Sequence, residues 1–314
     1  MPTNSTLNGA KFPLHVFNPC HGMTVVHRTA DFLRYRIEKR LPHLRLTPPT
    51  GAAPYIYRTL ACSNNLKLGL VSLASLAACA KRWPKIEMCV DESVSPAEVK
   101  RFYEAHGVSV EVWTPADIIE RMTANGETVL RRFAEAFFWG RKTAFTFGTR
   151  ENVPILYTDL DVLWFQDPWE GLELGGVASL LASEDKYFSY NKDFLPLLTP
   201  EHRALLLSRP AHCAGVYAVA PGFKLPDEVL HYISAKLAVA PPGYCYEDTC
   251  AIEQTCLGLA AKLSGRGIPW ESLPSCPDES LWQPAFHQRK WVAAHYAGPT
   301  RRQFWRDAWS LIKW

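Results

Sequence analysis

An apolar segment that ends in two aspartates constrains the fold of this chain more than any other feature. Residues 153–158 are mostly large apolar or β-branched, and a run of this length and composition is typical of a buried β-strand. Asp159 and Asp161 follow directly. Because an unpaired buried carboxylate is costly, we expect both side chains where the strand opens into a cleft.

The spacing of the two aspartates suits a bound cation. In an extended chain residues i and i+2 point to the same side, so Asp159 and Asp161 can offer oxygens to one hard divalent ion while Leu160 points into the core. A D-x-D tripeptide alone often arises by chance. This motif, however, lies between an apolar strand and a second apolar run, residues 162–165. We interpret it as a functional site because of that position.

Composition limits the classes of protein to consider. The 314 residues can bury a large core, and a net charge of +3 does not indicate nucleic acid as a partner. The nine cysteines are odd in number and lie mostly in apolar surroundings, which favours buried thiols. Residues 1–13 lack the apolar core of a signal peptide, and residues 66–80 are too short to span a bilayer. We expect a soluble, cytoplasmic protein without a transmembrane segment.

Strand-like and helix-like segments alternate from residue 55 onward. Residues 55–62, 86–90 and 108–113 have the composition of strands, and a helical pattern follows each of them. Ser95-Pro96 and Thr114-Pro115 supply the N-cap and the first-turn proline of two helices. This order predicts an α/β fold with a mainly parallel central sheet flanked by helices, in which ligands bind beyond the carboxyl ends of the strands.

Further elements are predicted on either side of the aspartates. We expect one long helix over residues 128–147, and a strand over residues 213–219 whose small residues would let another group approach the backbone. Lys142, on that helix, is the candidate for a basic residue at the mouth of the metal site, where it could bind a diphosphate.

The chain divides into an N-terminal extension, residues 1–50, and a main domain, residues 51–314. In the extension we expect a strand at residues 14–17 and an amphipathic helix at residues 31–44. A zinc site from His15, Cys20, His21 and His27 is disfavoured because their spacing matches no recurrent ligand pattern. The aromatic-rich residues 304–314 predict a final helix that docks onto the core.

Taken together and in order, these motifs resemble those of nucleotide-sugar glycosyltransferases with the GT-A (Rossmann-like) fold, particularly the retaining, glycogenin-like group. The resemblance covers roughly residues 55–301. It rests on an opening strand at residues 57–63, a basic residue at Lys142, the D-x-D motif, a small-residue strand at residues 213–217, an acidic-Gln pair at Glu253 and Gln254, and a late His-x-x-Gly-x-x-Arg motif at residues 295–301.

The resemblance implies that the protein is an enzyme that transfers a sugar from a nucleoside-diphosphate donor with retention of configuration. It implies that Asp161 and His295 bind the metal, with Asp159 contacting it or the ribose of the donor. Oxygen-rich ligation with one imidazole favours Mn²⁺ or Mg²⁺ over zinc. The residues implied to contact the donor are Thr59, Ala61, Lys142, Asp159, Gly298 and Arg301. Glu253 and Gln254 are implied to lie near the reacting carbon, with Asp248 as the fallback carboxylate.

Two of these motifs depart from the family pattern. Cys213 and Ala214 stand where the family commonly has Asn and Ser, and Arg301 replaces a lysine, which keeps the charge but changes how a phosphate is held. The donor sugar and the acceptor, whether glycan, protein or small molecule, are therefore not predicted. The alternative is a catalytically inactive protein of this fold that binds a nucleotide sugar or a partner. A dinucleotide-dependent oxidoreductase is disfavoured because no G-x-G-x-x-G follows the first strand.

Overall fold

The computed structural model describes residues 25–149, 151–239, 251–275, 290–298 and 301–312. The strands in these ranges are β1 (Ala52–Ala61), β2 (Trp83–Val90), β3 (Glu111–Trp113), β4 (Ile155–Thr158), β5 (Val162–Trp164), β6 (Leu180–Asp185), β7 (Ala211–Val219), β8 (Gly265–Ile268) and β9 (Ala293–His295). The helices are α1 (Val25–Arg40), α2 (Leu66–Cys79), α3 (Pro96–Glu104), α4 (Pro115–Ala124), α5 (Thr128–Ala136), α6 (Phe138–Phe147), α7 (Pro168–Gly171), α8 (Pro200–Leu206), α9 (Asp227–Val239), α10 (Ile252–Ser264) and α11 (Arg301–Leu311).

Seven strands form one sheet in the order β3-β2-β1-β4-β7-β6-β8. The strand pairs are parallel except that β7 runs antiparallel to its neighbours β4 and β6. The predicted α/β class with a mainly parallel sheet flanked by helices is thus confirmed. Because β7 is reversed, its N-terminal end lies at the same edge of the sheet as the C-terminal ends of β4 and β6.

The strand before the two aspartates is buried on both faces, as its composition predicts. Leu156 packs into a core with side chains from α1, α2 and α11, whereas Ile155 and Tyr157 pack into a second core with α5, α6 and α10. This alternation of side chains follows the period of two residues in a strand. Leu160 belongs to the first core, so it points away from its two flanking aspartates.

The two predicted N-caps are confirmed, and each is part of a capping box. The hydroxyl of Ser95 accepts from the backbone N–H of Glu98, and Thr114 has the same relationship with Asp117. In both cases the acidic side chain accepts in turn from the backbone N–H of the cap residue, so two N–H groups that the helix leaves unpaired are satisfied.

The prediction of one long helix over residues 128–147 is wrong. The backbone of Phe137 is extended (φ −131°, ψ 130°) and separates α5 from α6. Gly140 then lies against α5 so closely that a Cβ there would be 2.2 Å from the carbonyl oxygen of Phe133. The turn between the two helices therefore depends on a close backbone approach, which helical propensity alone does not predict.

The first and the last described helices pack against each other. The guanidinium of Arg34 lies 5.5 Å from the ring centroid of Trp305, and that of Arg40 lies 4.8 Å from the ring of Trp309. The predicted docking of an aromatic C-terminal helix is confirmed, and α1 covers it. The predicted strand at residues 14–17, the first three residues of the disfavoured zinc set and the side chain of His27 lie outside the described residues.

Where the chain is described, none of its helices combines the length and the apolar character needed to cross a membrane.

Candidate functional site

Two aspartates and a histidine converge where β4 ends. Asp159 follows β4, Asp161 precedes β5, and β9 pairs with β5 so that His295 lies opposite Val162. Nε2 of His295 is 3.2 Å from Oδ1 of Asp161 and 3.7 Å from Oδ2 of Asp159. The possible ligand atoms of the three side chains all lie within 4.8 Å of one another. The three residues that the sequence analysis assigned to a metal are thus brought together.

This arrangement fits a hard divalent cation. Neighbouring ligands of an ion with metal–oxygen distances of about 2.1–2.4 Å are about 3.0–3.4 Å apart, close to the spacing of these atoms. Two carboxylates and one imidazole form a donor set that suits Mg²⁺ or Mn²⁺. The three residues therefore fit the metal that the resemblance implies.

The charges in this cluster perturb each other strongly. Burial opposes protonation of His295, but the neighbouring Cys213 and Asp161 side chains outweigh it and hold the pKa of the imidazole well above its usual value. Burial alone would raise the pKa of Asp161, but His295 and the Arg301 guanidinium hold it below its usual value. Two carboxylates around one imidazole thus create a site that favours a positive charge between them.

Each carboxylate uses its other oxygen to bind a basic side chain. Oδ1 of Asp159 accepts from Nζ of Lys142 at 2.9 Å and from the hydroxyl of Tyr157 at 3.2 Å. Oδ2 of Asp161 accepts from Nη2 and Nε of Arg301 at 2.7 and 3.2 Å. These contacts orient both carboxylates so that their remaining oxygens face His295.

Lys142 lies beneath the site, and the expectation that it stands at the mouth is wrong. Its side chain is 2% exposed, and its ammonium lies 4.7 Å from the ring centroid of Tyr157. Burial would lower the pKa of Lys142, but Asp159 and Glu253 raise it, so the amine stays charged. The sequence places Lys142 on a helix but does not reveal which way its side chain points. In the structure it points to the Asp159 carboxylate, which pairs with the buried ammonium.

The far side of the His295 ring is held by β7. Nδ1 of His295 lies 3.3 Å from Sγ of Cys213, which also accepts from the backbone N–H of Gly215 at 3.3 Å and the hydroxyl of Ser275 at 3.5 Å. A Cβ on Gly215 would lie 2.2 Å from the imidazole. The small-residue strand therefore admits another group, as predicted, and that group is His295. The sequence analysis missed the role of Cys213, although the departure from the family pattern was visible.

The acidic-Gln pair begins α10. Oε2 of Glu253 and Nε2 of Gln254 are buried, and neither has a hydrogen-bond partner in the described part of the chain. Burial raises the pKa of Glu253 to about 7. The charge of Lys142 lowers this pKa, and the charge of Asp159 raises it further. Polar atoms in this state are rare in folded proteins and often mark a place for a ligand. Asp248, the fallback carboxylate, lies outside the described residues.

A cavity of about 350 Å³ opens beside the aspartates. Its polar lining comes from the ends of β2 and β4, from α6 and from the start of α11, and includes Asp91, Arg141, Asp159, Asp161 and Arg301. Ala61, Phe138 and Trp139 add apolar walls. Asp91 and Arg141 were missed, yet Asp91 carries the same signal as Asp159, an acid directly after an apolar strand.

The remaining residues expected to contact the donor lie elsewhere. Thr59 is fully buried within β1, and its hydroxyl has no partner among the described residues, so its side chain does not line the cavity. Gly298 is exposed and has a left-handed backbone (φ +56°) shortly before α11. Of the six expected contacts, Ala61, Asp159 and Arg301 line the cavity.

No protein-family model and no curated protein matches this chain. Mouse xyloside xylosyltransferase 1 in its apo form aligns with 80% of this chain and 99% of its own length, at 12% identity and a TM-score of 0.48. The galactosyltransferase LgtC, in complex with donor and acceptor sugar analogs, aligns with 82% of this chain and 96% of its own length, at 13% identity and a TM-score of 0.45.

A third similar structure is the mannosyltransferase PcManGT from Pyrobaculum calidifontis in complex with GDP-Man and Mn²⁺. It aligns with 81% of this chain and 66% of its own length, at 16% identity and a TM-score of 0.35. The names of all three agree with the resemblance of the sequence to glycosyltransferases. At these identities and TM-scores, the similarity assigns no activity to this chain.

Proposed function

We propose that this protein is a metal-dependent glycosyltransferase that moves a sugar from a nucleoside-diphosphate donor to an acceptor. The observation that carries the proposal is the convergence of Asp159, Asp161 and His295 beside a cavity with basic and aromatic walls. We assign this activity to residues 51–314.

The cavity has the size and the lining that a nucleotide needs. Its volume of about 350 Å³ lies in the range of small-molecule sites, roughly 300–1,000 Å³. Phe138 and Trp139 offer apolar surface to a base, and the Asp91 carboxylate can accept hydrogen bonds from a base or a ribose. Arg301, whose side chain is 57% exposed, can turn a free N–H toward a phosphate while it still holds Asp161.

Asp159, Asp161 and His295 would hold Mn²⁺ or Mg²⁺ at the end of this cavity. The ion would supply charge neutralisation for the diphosphate and for the leaving phosphate, as a Lewis acid. Lys142 and Arg301 keep the two carboxylates oriented toward His295, so the ligands are arranged before the ion binds.

Glu253 and Gln254 are the candidates for contact with the transferred sugar. Each has a buried polar atom that finds no partner among the described residues, and the charges of Lys142 and Asp159 act on Glu253. An ionised Glu253 would stabilise positive charge that develops on the sugar, and the Gln254 amide would donate a hydrogen bond to a hydroxyl. We infer that the reaction retains the anomeric configuration, as in the group that the sequence resembles.

The proposal is tested by calorimetry with purified protein, Mn²⁺ and a panel of nucleoside diphosphates and nucleotide sugars. We expect one of the nucleotides to bind only in the presence of the metal, and Asp161→Asn to abolish this binding. Glu135→Gln, which alters an exposed acid on α5, is the matched control and should bind as the wild type does. Unchanged affinity in Asp161→Asn would refute the metal assignment. Nucleotide-sugar binding with neither transfer nor donor hydrolysis would instead identify an inactive binding protein.

A further inference from the structure

The loop that follows β6 exposes two neighbouring aromatic side chains. Tyr187 is 64% exposed, more than any other large hydrophobic side chain that the structure describes, and Phe188 is 38% exposed. Contiguous exposed apolar surface commonly marks a binding site, and an aromatic ring can bury a large area when a ligand covers it.

The Phe188 ring and the backbone of Tyr187 are held in place by neighbouring groups. The Arg209 guanidinium, from the segment before β7, stacks 4.5 Å from the ring centroid of Phe188 and donates to the carbonyl oxygen of Lys186. The backbone N–H of Tyr187 donates to Oδ1 of Asp185 at 3.1 Å, and the ring of Phe188 packs 6.0 Å from that of Tyr190. Because the Phe188 ring and the Tyr187 backbone are already fixed, ordering them on binding costs little conformational entropy.

A third aromatic residue extends this surface toward the candidate metal ligands Asp161 and His295. The ammonium of Lys186 lies 3.3 Å from the ring centroid of Trp270, which follows β8. The Trp270 indole donates to the carbonyl oxygen of Ser275 at 3.2 Å, and the Ser275 hydroxyl donates to Sγ of Cys213, the neighbour of His295. A short series of direct contacts thus joins the aromatic surface to His295.

The order of the strands places this surface on the side of the site opposite the candidate donor cavity. The cavity lies over the ends of β1, β2 and β4, whereas the aromatic residues lie at the ends of β6 and β8. The aspartates at the end of β4 and Cys213 on β7 lie between the two. A molecule bound at β6 and β8 would therefore approach the transferred group from the side that the nucleotide leaves free.

We propose that Tyr187, Phe188 and Trp270, together with Lys186 and Arg209, bind the acceptor, and that this acceptor is a carbohydrate. This inference rests on the proposed function. The C–H face of a pyranose ring packs against an aromatic face, and ammonium and guanidinium groups donate hydrogen bonds to ring hydroxyls. One short loop offers too little area for a stable protein partner, which buries about 1,000 Å² or more in total.

The test measures saccharide binding directly, without metal or donor. Saturation-transfer NMR and Trp fluorescence are recorded with maltotriose, lactose, mannotriose and chitotriose as probes. We expect at least one of them to bind the wild type, Tyr187→Ala to weaken that binding at least tenfold, and Tyr187→Phe to restore it because the ring returns. Phe32→Ala removes a similarly exposed aromatic ring (41%) from α1 and should bind as the wild type does.

Two results would overturn the inference: no saccharide of the set binds the wild type, or Tyr187→Ala binds as well as the wild type. Circular dichroism checks that each variant is folded. The proposed function is judged separately, by metal-dependent nucleotide binding to the wild type. If nucleotide binding holds and saccharide binding fails, the acceptor assignment alone is wrong.

Discussion

The sulfur of Cys213 lies 3.3 Å from Nδ1 of His295, while Nε2 of the same ring faces Asp161 at 3.2 Å. A histidine that binds a metal through one nitrogen commonly donates the N–H of the other to a neighbouring acceptor, which fixes the tautomer and the ring orientation. Cys213 is in the position to be that acceptor. Its sulfur is itself fixed by the N–H of Gly215 and the hydroxyl of Ser275.

We therefore predict that Cys213→Ala weakens Mn²⁺ binding by about 10- to 100-fold, the usual effect of losing such a partner. Cys213→Ser keeps an acceptor, though a smaller one, and should lie between the alanine variant and the wild type. Electron paramagnetic resonance of free Mn²⁺ measures the affinity, and ¹⁵N NMR reports the tautomer of His295. The control is Cys79→Ala, because that thiol bonds the carbonyl of Gln166 away from the cluster. Equal Mn²⁺ affinity in Cys213→Ala and the wild type would remove Cys213 from this role.

The sequence predicted the parts of the site that depend on local pattern. An apolar strand that ends in Asp159 and Asp161 is visible without any tertiary information, because the period of the strand sets which side chains share a face. The capping residues Ser95 and Thr114 are equally local, and the structure confirms them.

Features that depend on packing between distant segments were not predicted. The break at Phe137 requires Gly140 to meet α5, and the burial of Lys142 requires a carboxylate from β4. The contact between Cys213 and His295 joins β7 to β9, two strands that do not pair. Residue type and spacing do not encode contacts between distant segments in a readable way. The sequence therefore indicated which polar side chains were available, but not which of them would be in contact.

A buried ion network around Arg58 of β1 was likewise not predicted from the sequence, and it affects the stability of the fold. Arg58 is fully buried, and it bonds Glu87 on the neighbouring strand β2 at 2.8 Å and Glu151 at 2.9 Å. Removing one partner of a buried pair leaves the other charge without compensation, at a cost of about 3–5 kcal/mol. Lys85 still reaches Glu87 from the surface at 2.6 Å, which places the expected loss near the lower end.

We predict that Arg58→Met lowers the free energy of unfolding by about 3 kcal/mol and that adding Glu87→Gln recovers a large part of it. Urea unfolding followed by circular dichroism measures both values. Arg131→Met, which breaks an exposed pair with Glu135, should change the stability by less than about 0.5 kcal/mol. If Arg58→Met is no more damaging than Arg131→Met, the network contributes nothing to stability.

The raised pKa of Glu253, about 7, makes the stability depend on pH. The folded protein keeps this proton up to about pH 7, whereas an unfolded glutamate releases it near its ordinary value of about 4.3. Because the folded state then binds more protons, the contribution of Glu253 is fully present below the ordinary pKa and is lost as the pH rises through 7.

Glu253→Gln should therefore be more stable than the wild type at pH 8, by about 1–3 kcal/mol, and close to it at pH 4.5. Metal-free protein is unfolded with urea at both pH values. Glu228→Gln, which changes another acid in the first turn of a helix, provides the control. A difference between Glu253→Gln and the wild type that stays the same at both pH values would show that folding does not raise the pKa of Glu253.

The stereochemistry of transfer gives the strictest test of the role of Glu253 and Gln254. An inverting enzyme needs a general base that deprotonates the acceptor hydroxyl on the face opposite the leaving group, whereas retention requires attack and departure on the same face. We predict an α-linked product from an α-linked donor. Proton NMR of the new linkage, formed from a glucosyl or galactosyl donor, distinguishes the outcomes by the coupling constant of the anomeric proton.

Glu253→Gln should in the same assay lower kcat by about 10²–10³-fold and leave the affinity for the donor nearly unchanged, because its charge would act on the transition state. Gln254→Ala should lower kcat less, since it removes a neutral hydrogen bond. A β-linked product would place the chain among inverting enzymes and would assign Glu253 a structural role. The assignment of Asp159, Asp161 and His295 as metal ligands would be unaffected, because it rests on metal-dependent nucleotide binding.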